Sequence, residues 1–110
     1  MHSGEAPRVN VMRYRFASEL RRWEARVRDD WYLVELPDDV SAEIHEWADA
    51  LPRSGFGAVK VAAQVGDTGW STSIFPSASG RYSLVIGARI RRAEGIEPGD
   101  VVEAEVELVG

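Results

Sequence analysis

The residues of this chain best suited to chemistry are the three consecutive hydroxyls Ser71, Thr72 and Ser73, which follow Trp70. A hydroxyl nucleophile needs a base within hydrogen-bond reach and a third group that orients the base. The only histidine outside the N-terminal segment is His45, whose helical phase beside Ile44 predicts an exposed position. Hydroxyls that alternate along a strand more often form cross-strand pairs. We therefore predict no catalytic residue in this chain.

Carboxylates form a second group that could do chemistry, because Asp38, Asp39, Glu43 and Glu46 are close together in sequence. Such a set could hold a metal ion or act in acid–base catalysis. Capping of a helix N-terminus and a solvated helix face account for all four residues. The chain has no cysteine and no EF-hand or histidine-rich spacing. We predict neither a metal nor a cofactor.

Arginines are concentrated around two predicted hairpins, one near residues 21–28 and one near residues 81–92. Guanidinium groups gathered on one face could contact the phosphates of a nucleic acid. The candidates for such contacts are Arg21, Arg22, Arg26, Arg28 and Arg81. Acidic residues, among them Glu24 and Asp29, are interleaved with them. Nucleic-acid binding is therefore possible as an alternative and is not the leading expectation.

The chain contains many large aromatic side chains for its length, and most of them are expected in the core. They are Trp23, Trp31, Trp47, Trp70, Phe75 and Tyr82. A barrel with aromatic walls and a few inward polar groups could also hold a small apolar or aromatic ligand. The candidate pocket residues are Trp70, Ser73, Tyr82 and Arg91.

Length and composition indicate one ordinary globular domain, since the chain has 110 residues, of which 45% are hydrophobic. The formal net charge of −5 gives no general affinity for polyanions. No apolar run reaches the length of a signal peptide core or a membrane span. We expect a cytoplasmic protein with no membrane association, a loose leader at residues 1–12 and a single domain at residues 13–110.

Periodicity and turn residues predict six or seven strands and two short helices. The predicted strands cover residues 14–27 (with a bend near Trp23), 31–36, 58–65, 70–75, 81–86 and 102–108. One helix begins at Asp38 or Asp39 and carries the apolar stripe Val40, Ile44, Trp47 and Leu51, after which Pro52 ends it. The other covers residues 87–94 and ends at Gly95.

The two halves of the chain repeat one order of elements, so half-units are predicted at residues 13–66 and 69–110. Residues 31–37, a helix, a glycine-containing turn and residues 59–65 form one unit. Residues 81–87, a helix, a glycine-containing turn and residues 101–109 form the other. The repeat predicts a mainly β, closed barrel with a pseudo-twofold axis, in which one chain does what a dimer could do. A monomer is favoured and a dimer is possible.

Particular motifs give the chain a family resemblance that extends from about residue 14 to residue 109. Residues 70–76 (WSTSIFP), the hairpin strand 80–84, Arg91-Arg92-Ala93 and Pro98-Gly99-Asp100 resemble the domain of unknown function 1905 family, DUF1905. The resemblance implies a small β-barrel similar to the double-split barrels of transition-state regulators and antitoxins of the AbrB and MazE type. It also implies a bacterial protein.

The sequence is consistent with three classes of function. The leading expectation is a noncatalytic binding or interaction module for an unknown small molecule or protein. One alternative is a DNA-binding, antitoxin-like regulator. Another is a small barrel enzyme or cyclase that acts on an apolar ligand inside the barrel.

Overall fold

The sheet is closed by two bent strands, each of which pairs with two different neighbours. In the computed structural model, which describes residues 12–23, 31–49 and 57–109, β1 (Arg13–Glu19) pairs antiparallel with β7 (Val101–Leu108). Leu20 still exchanges backbone hydrogen bonds with Gly99 and Asp100, just before β7. The next residues, β2 (Arg21–Arg22), pair with β3 (Tyr32–Glu35). Successive residues of an extended strand offer their backbone groups to opposite edges, so one chain segment bridges β7 and β3.

The second bent strand is β5 (Thr68–Pro76). It pairs with β4 (Val59–Val65) as far as Ile74 and with β6 (Tyr82–Val85) through its last two residues. β4 also pairs with β7, and β3 with β6, which gives the order β1-β7-β4-β5-β6-β3-β2. The first and last strands of this order are consecutive in the chain. The predicted mainly β barrel of six or seven strands is confirmed as a nearly closed antiparallel barrel of seven strands with two helices.

The pairing also confirms the pseudo-twofold relation between the halves. Tyr32 and Tyr82 occupy equivalent positions, because each starts the strand that pairs with the end of a bent strand. The N–H of Leu36 donates to the carbonyl of Tyr82, and the N–H of Ile86 donates to the carbonyl of Tyr32, both at 2.9 Å. The middle pair of this antiparallel contact, Val34 with Leu84, therefore lies on the pseudo-axis.

Two helices follow the equivalent strands, α1 (Asp38–Asp49) after β3 and α2 (Ala88–Glu94) after β6. Asp39 accepts a hydrogen bond at 2.9 Å from the N–H of Val40, as expected of an aspartate at a helix N-terminus. Gly95 ends α2 in the left-handed conformation, with φ 66°, which glycine adopts without a Cβ penalty. The predicted end of α1 near Leu51 lies outside the described residues.

Each helix is fixed to the barrel by a side chain at the same structural position. In α1 the hydroxyl of Ser41 donates to the carbonyl of Leu36 at 3.3 Å and accepts from the N–H of Tyr82 at 3.0 Å. In α2 the guanidinium of Arg91 donates to the carbonyl of Ile86 at 2.6 Å. Both bonds satisfy the carbonyl at the end of the preceding strand, which would otherwise be buried without a partner.

A second pair of bonds joins each helix to the start of a bent strand, although the two glutamates are one residue apart in helix position. The Tyr14 hydroxyl donates to a Glu43 carboxylate oxygen of α1 at 3.0 Å. The Thr68 hydroxyl donates to a Glu94 carboxylate oxygen of α2 at 2.5 Å. Tyr14 and Thr68 are equivalent because each lies six residues before the bend, at Leu20 and at Ile74.

The core lies inside the barrel and beneath the two helices. Alternate residues of β4 and β7 are buried, which confirms the predicted inward faces of both strands. The most deeply buried side chains are Leu20, Val34, Leu36, Ile44, Val61, Ile74, Tyr82, Leu84, Ile86 and Val106. Met12 packs against this core, and residues 1–11 lie outside the described part of the chain.

One predicted detail of the first strand is wrong. The sequence predicted a strand over residues 14–27 that bends near Trp23, whereas the bend lies at Leu20. Residues 24–27 of the predicted strand lie outside the described part of the chain. Leu20 is 1% exposed, and its burial beside β7 sets where the strand turns toward β3. The alternation breaks at Arg21 and Arg22, which are both exposed, so periodicity locates the bend only to within a few residues.

Replacing Ser41 with alanine should lower the free energy of unfolding by about 1–3 kcal/mol, because the N–H of Tyr82 loses its acceptor in a site that is 2% exposed. Urea denaturation followed by tryptophan fluorescence measures the change. Ser71→Ala, at an exposed position on β5, is the matched control and should change stability by less than about 0.5 kcal/mol. Equal stabilities of the two variants would contradict the stabilising role of the hydrogen bond between Ser41 and Tyr82.

Burial first, and then the hydrogen bond to and the charge of Glu43, raise the pKa of Tyr14 from 10.0 to about 12. Because the folded-state pKa is the higher one, the contribution of Tyr14 to stability is complete below pH 10 and is lost as the pH rises through about 12. In Glu43→Gln the pKa of Tyr14 should fall and stay above 10.0, since burial remains. Tyrosinate absorbance, measured against a Tyr14→Phe blank, gives the pKa of Tyr14. An unchanged pKa in Glu43→Gln would refute the hydrogen bond between Tyr14 and Glu43.

Candidate interaction surface

The outward side chains of β2, β3, β6 and β5 form one continuous face on the outside of the barrel. Residues that are directly opposite in an antiparallel sheet share a face. The register places Arg21, Leu33 and Val85 in one row, and Glu35, Ser83 and Phe75 in the next. We call the apolar part of this surface the outer apolar face; its members are Trp23, Trp31, Leu33, Phe75 and Val85.

Strand periodicity explains why these residues lie outside. On β3 and just beyond its end, Val34 and Leu36 point into the core with no exposed surface. Leu33 and Glu35 alternate with them and are half-buried. Phe75 follows the fully buried Ile74 on β5 and is therefore turned outward. The same backbone alternation that fills the barrel thus exposes the outer apolar face.

Exposure is largest at the two ends of this face. Trp31 is 40% exposed at one end, and Phe75 is 43% exposed at the other. The Trp23 ring packs against Trp31 with centroids 5.2 Å apart and planes inclined by 46°, which is a favourable tilted geometry. Leu33 and Val85 lie between these ends and are only half-buried. A contiguous apolar surface of this kind marks a site of interaction more often than a scattered apolar residue does.

A charged group borders the face on the side of β3. Arg81 donates to both carboxylate oxygens of Asp38, at 2.8 and 3.3 Å, and to Glu35 at 3.3 Å. Arg21 lies 3.8 Å from the same Glu35 oxygen. Two arginines and two carboxylates therefore neutralise each other along this border.

The hydrogen bonds from Arg81, and its positive charge, hold the pKa of Asp38 below its ordinary value of 3.8. The pKa of Arg81 is raised for the reciprocal reason, with a further contribution from Glu35. Both ions are therefore charged at neutral pH, and this border of the face carries no net charge.

His45 occupies a different position from the one that its helical phase predicted. It is half-buried, and its ring lies 4.6 Å from the ring of Tyr82. Nε2 contacts the Gly80 carbonyl at 2.9 Å, and Nδ1 contacts the Tyr82 hydroxyl at 3.3 Å. A carbonyl only accepts, so Nε2 donates its hydrogen to Gly80. Because β6 brings Gly80 and Tyr82 against α1, the predicted exposure of His45 is wrong.

The four residues predicted to line a ligand pocket have different surroundings. Tyr82 is 2% exposed and contacts α1, whereas Arg91 of α2 stacks over the Tyr32 ring at 4.5 Å. Trp70 packs against the core from the inner side of β5. Ser73 lies opposite Lys60 on the outer side of that strand, so these contacts do not place the four residues around one space. The pocket stays a prediction.

The residues predicted for nucleic-acid contacts are only partly within the described chain. Arg21 and Arg81 meet at Glu35, as described above. Arg22 is exposed and lies opposite Tyr32, while Arg26 and Arg28 lie outside the described residues. Elsewhere on the barrel Arg13 and Arg15 also pair with acids, Glu105 and Glu107.

The hydroxyls and acids singled out from the sequence have structural surroundings. Ser71 and Ser73 lie on the outer side of β5 and Thr72 on the inner side. Within residues 12–23, 31–49 and 57–109 there is no group of three or more His, Asp or Glu residues placed to hold a metal ion. No helix in the same ranges is long and apolar enough to cross a membrane.

Comparison with known proteins shows the family. The model of the family described as Domain of unknown function (DUF1905) matches residues 16–106, and the chain belongs to this family. The match covers the first bent strand from Phe16 onward, the whole of β5, both helices and the whole outer apolar face. No curated protein matches the chain.

Sequence reasoning did not identify the outer apolar face or the role of Ser41. Most of the large aromatics were expected in the core, and the sequence did not single out Phe75 and Trp31 as the exposed ones. The signal for Phe75 was available, because Ile74 beside it fits the inward phase of β5. Ser41 carried no such signal, since its partners come from two other parts of the chain.

Arg81→Gln should raise the pKa of Asp38 toward its ordinary value, because the hydrogen bonds and the positive charge both disappear. In the wild type, the stabilising contribution of Asp38 is complete above pH 3.8 and is lost as the pH falls through the lowered folded-state pKa. Carboxyl chemical shifts during an acid titration measure both values. Arg92→Gln, an exposed arginine on α2, is the control and should leave the pKa of Asp38 unchanged.

Proposed function

We propose that this protein is a noncatalytic interaction module that binds a partner protein through the outer apolar face. The observation that carries the proposal is the exposure of Trp31 and Phe75 at the ends of a face whose middle is also apolar. Trp side chains are enriched among the residues that dominate interface energies. Burying this face against a partner would remove apolar surface from water and stabilise the complex.

The shape of the face favours a protein over a small molecule. Small-molecule sites are concave and surround most of their ligand. The outer apolar face lies on the outside of a barrel, where the sheet curves away from the bound partner. A peptide segment or a domain surface can cover such a face, because either can follow its four strands.

Catalysis has less support than binding. The only histidine within the described residues uses both ring nitrogens for contacts with Gly80 and Tyr82, so a hydroxyl on β5 has no free imidazole base. The enzyme hypothesis stays a prediction, as does a ligand inside the barrel.

Two of the five arginines named for the regulator hypothesis, Arg21 and Arg81, are paired with acids. Arg21 and Arg81 share Glu35, and Arg81 also binds Asp38. Phosphate contacts would have to replace these ion pairs. The resemblance to double-split-barrel regulators and the cytoplasmic location also stay predictions.

A phage-displayed library of random dodecapeptides, selected on the immobilised protein, tests the proposal. We expect an enriched group of related sequences whose synthetic peptides bind at least about tenfold more weakly to Phe75→Ser, because this variant removes an anchor of the face. Val101→Ser is the matched control: Val101 is 70% exposed on β7, opposite Glu19 and not a member of the face, and its replacement should leave affinity unchanged.

Thermal unfolding of both variants confirms that each is folded before binding is compared. Selection of no related sequences would overturn the proposal. Equal affinity of the selected peptides for wild type and Phe75→Ser would also overturn it.

A further inference from the structure

The outer apolar face presents side chains to a partner and keeps its backbone within the sheet. The register pairs β2 with β3, β3 with β6, and β6 with the end of β5. The N–H and C=O groups of paired strands lie in the plane of the sheet, whereas the side chains stand out from it. Among the described residues that form this face, no backbone group therefore points toward a segment that covers it.

This constraint decides which backbone conformation a partner segment needs. An extended or polyproline segment has no hydrogen bonds within its own backbone. On an apolar face, the N–H and C=O groups of its covered side would lose water without gaining a partner, which is unfavourable. An α-helix satisfies its backbone internally and covers the face with side chains alone. Packing a helix on a sheet is also a common way in which folded domains bury an apolar sheet face.

The exposed ends of the face set the length of such a helix. Phe75 lies in the same row as Glu35, and Trp31 is four residues before Glu35 in the chain. The two ends are therefore about 13 Å apart along the strands. Two strand spacings of about 4.8 Å separate β5 from β3, so the ends are about 10 Å apart across the strands. The resulting diagonal of about 16 Å corresponds to about eleven helical residues.

The middle of the face matches the middle of such a helix. Leu33 and Val85 are directly opposite each other between the two ends. A helix with apolar residues at i, i+4, i+7 and i+11 presents four side chains along one stripe. Its terminal side chains would contact Phe75 and Trp31, and its central ones would contact Val85 and Leu33. Four positions of the face thus correspond to four positions of one helical stripe.

The charges beside the face are of both signs. Arg21 and Arg81 share Glu35, and Glu19 is exposed two residues before Arg21. Such a border favours neither an acidic nor a basic partner. The spacing of the apolar side chains, and not the net charge of the segment, is therefore what selects the partner.

We infer, on the basis of the proposed function, that the partner docks an amphipathic α-helix of about three turns on the outer apolar face. Its apolar stripe lies along the diagonal from Phe75 to Trp31, and its polar side faces solvent. Recognition of a helix in this way depends on anchors at helical spacing, which a strand or a polyproline segment does not supply.

Two fluorescein-labelled peptides of the same composition and of about fifteen residues test the inference. Both contain four leucines among alanines, with glutamates and lysines in equal number. In the helical-period peptide the leucines are at i, i+4, i+7 and i+11, and in the strand-period peptide they alternate with other residues. Fluorescence anisotropy should show that the helical-period peptide binds at least about tenfold more tightly, because its leucines form one stripe on a helix. A central alanine-to-proline change in this peptide should weaken binding at least about tenfold, since proline breaks the helix.

The terminal leucines of the helical-period peptide locate its ends on the face. Replacing either one with glutamine should weaken binding to the wild type by about fivefold or more. In Phe75→Ser, one of these replacements should have less than about a twofold effect, because its contact is already lost, whereas the other keeps its full effect. Val101→Ser is the matched control and should leave both effects unchanged.

Equal affinity of the helical-period and strand-period peptides, lost for both in Phe75→Ser, would overturn the inference and leave the proposed function standing. Binding of neither peptide, or binding that Phe75→Ser does not weaken, would also overturn it, and the library selection then decides the proposed function separately. Light scattering that showed a wild-type dimer and a Phe75→Ser monomer would overturn it in favour of a second copy of this chain on the face.

Discussion

Every other feature of this structure depends on the way in which two strands are each shared between two neighbours. β1 continues into β2 at Leu20, and β5 changes partner after Ile74, so each segment satisfies backbone groups on both of its edges. Closure in this way leaves fewer unpaired edges in a small domain, where they would favour aggregation. It also requires a buried aliphatic side chain at each bend, and Leu20 and Ile74 supply these.

The pseudo-twofold arrangement places two helices in equivalent positions, but the side chains of the two helices differ chemically. Ser41 and Arg91 each donate to the carbonyl that ends the preceding strand. Their other contacts diverge, because Ser41 also accepts from Tyr82, whereas Arg91 covers Tyr32. The bond to the carbonyl at the end of the preceding strand is common to both helices and maintains the fold. The other residues differ, so α1 is acidic and α2 carries arginines.

Much of the barrel could be predicted because its signals are local. Alternation along residues 59–65 and 102–108 predicts which side chains are buried, and Gly95 predicts the end of α2. The candidate site was less predictable. Trp31 and Phe75 have side chains that usually belong in a core, and their outward position follows from strand phase together with the strands that lie beside them. The exposure predicted for His45 failed for a related reason, since Gly80 and Tyr82 come from another element.

The sequence by itself determined the strand and helix types, their order and the repeat of the two halves, since hydrophobic period, capping residues and turn glycines act over a few neighbouring residues. The tertiary structure alone decided where β1 bends, which arginines are neutralised and which apolar residues share a face. Those outcomes depend on cross-strand register, as when Arg21 and Arg81 meet at Glu35 from positions far apart in the chain. Register is fixed by the closure of the whole barrel, so no local segment specifies it.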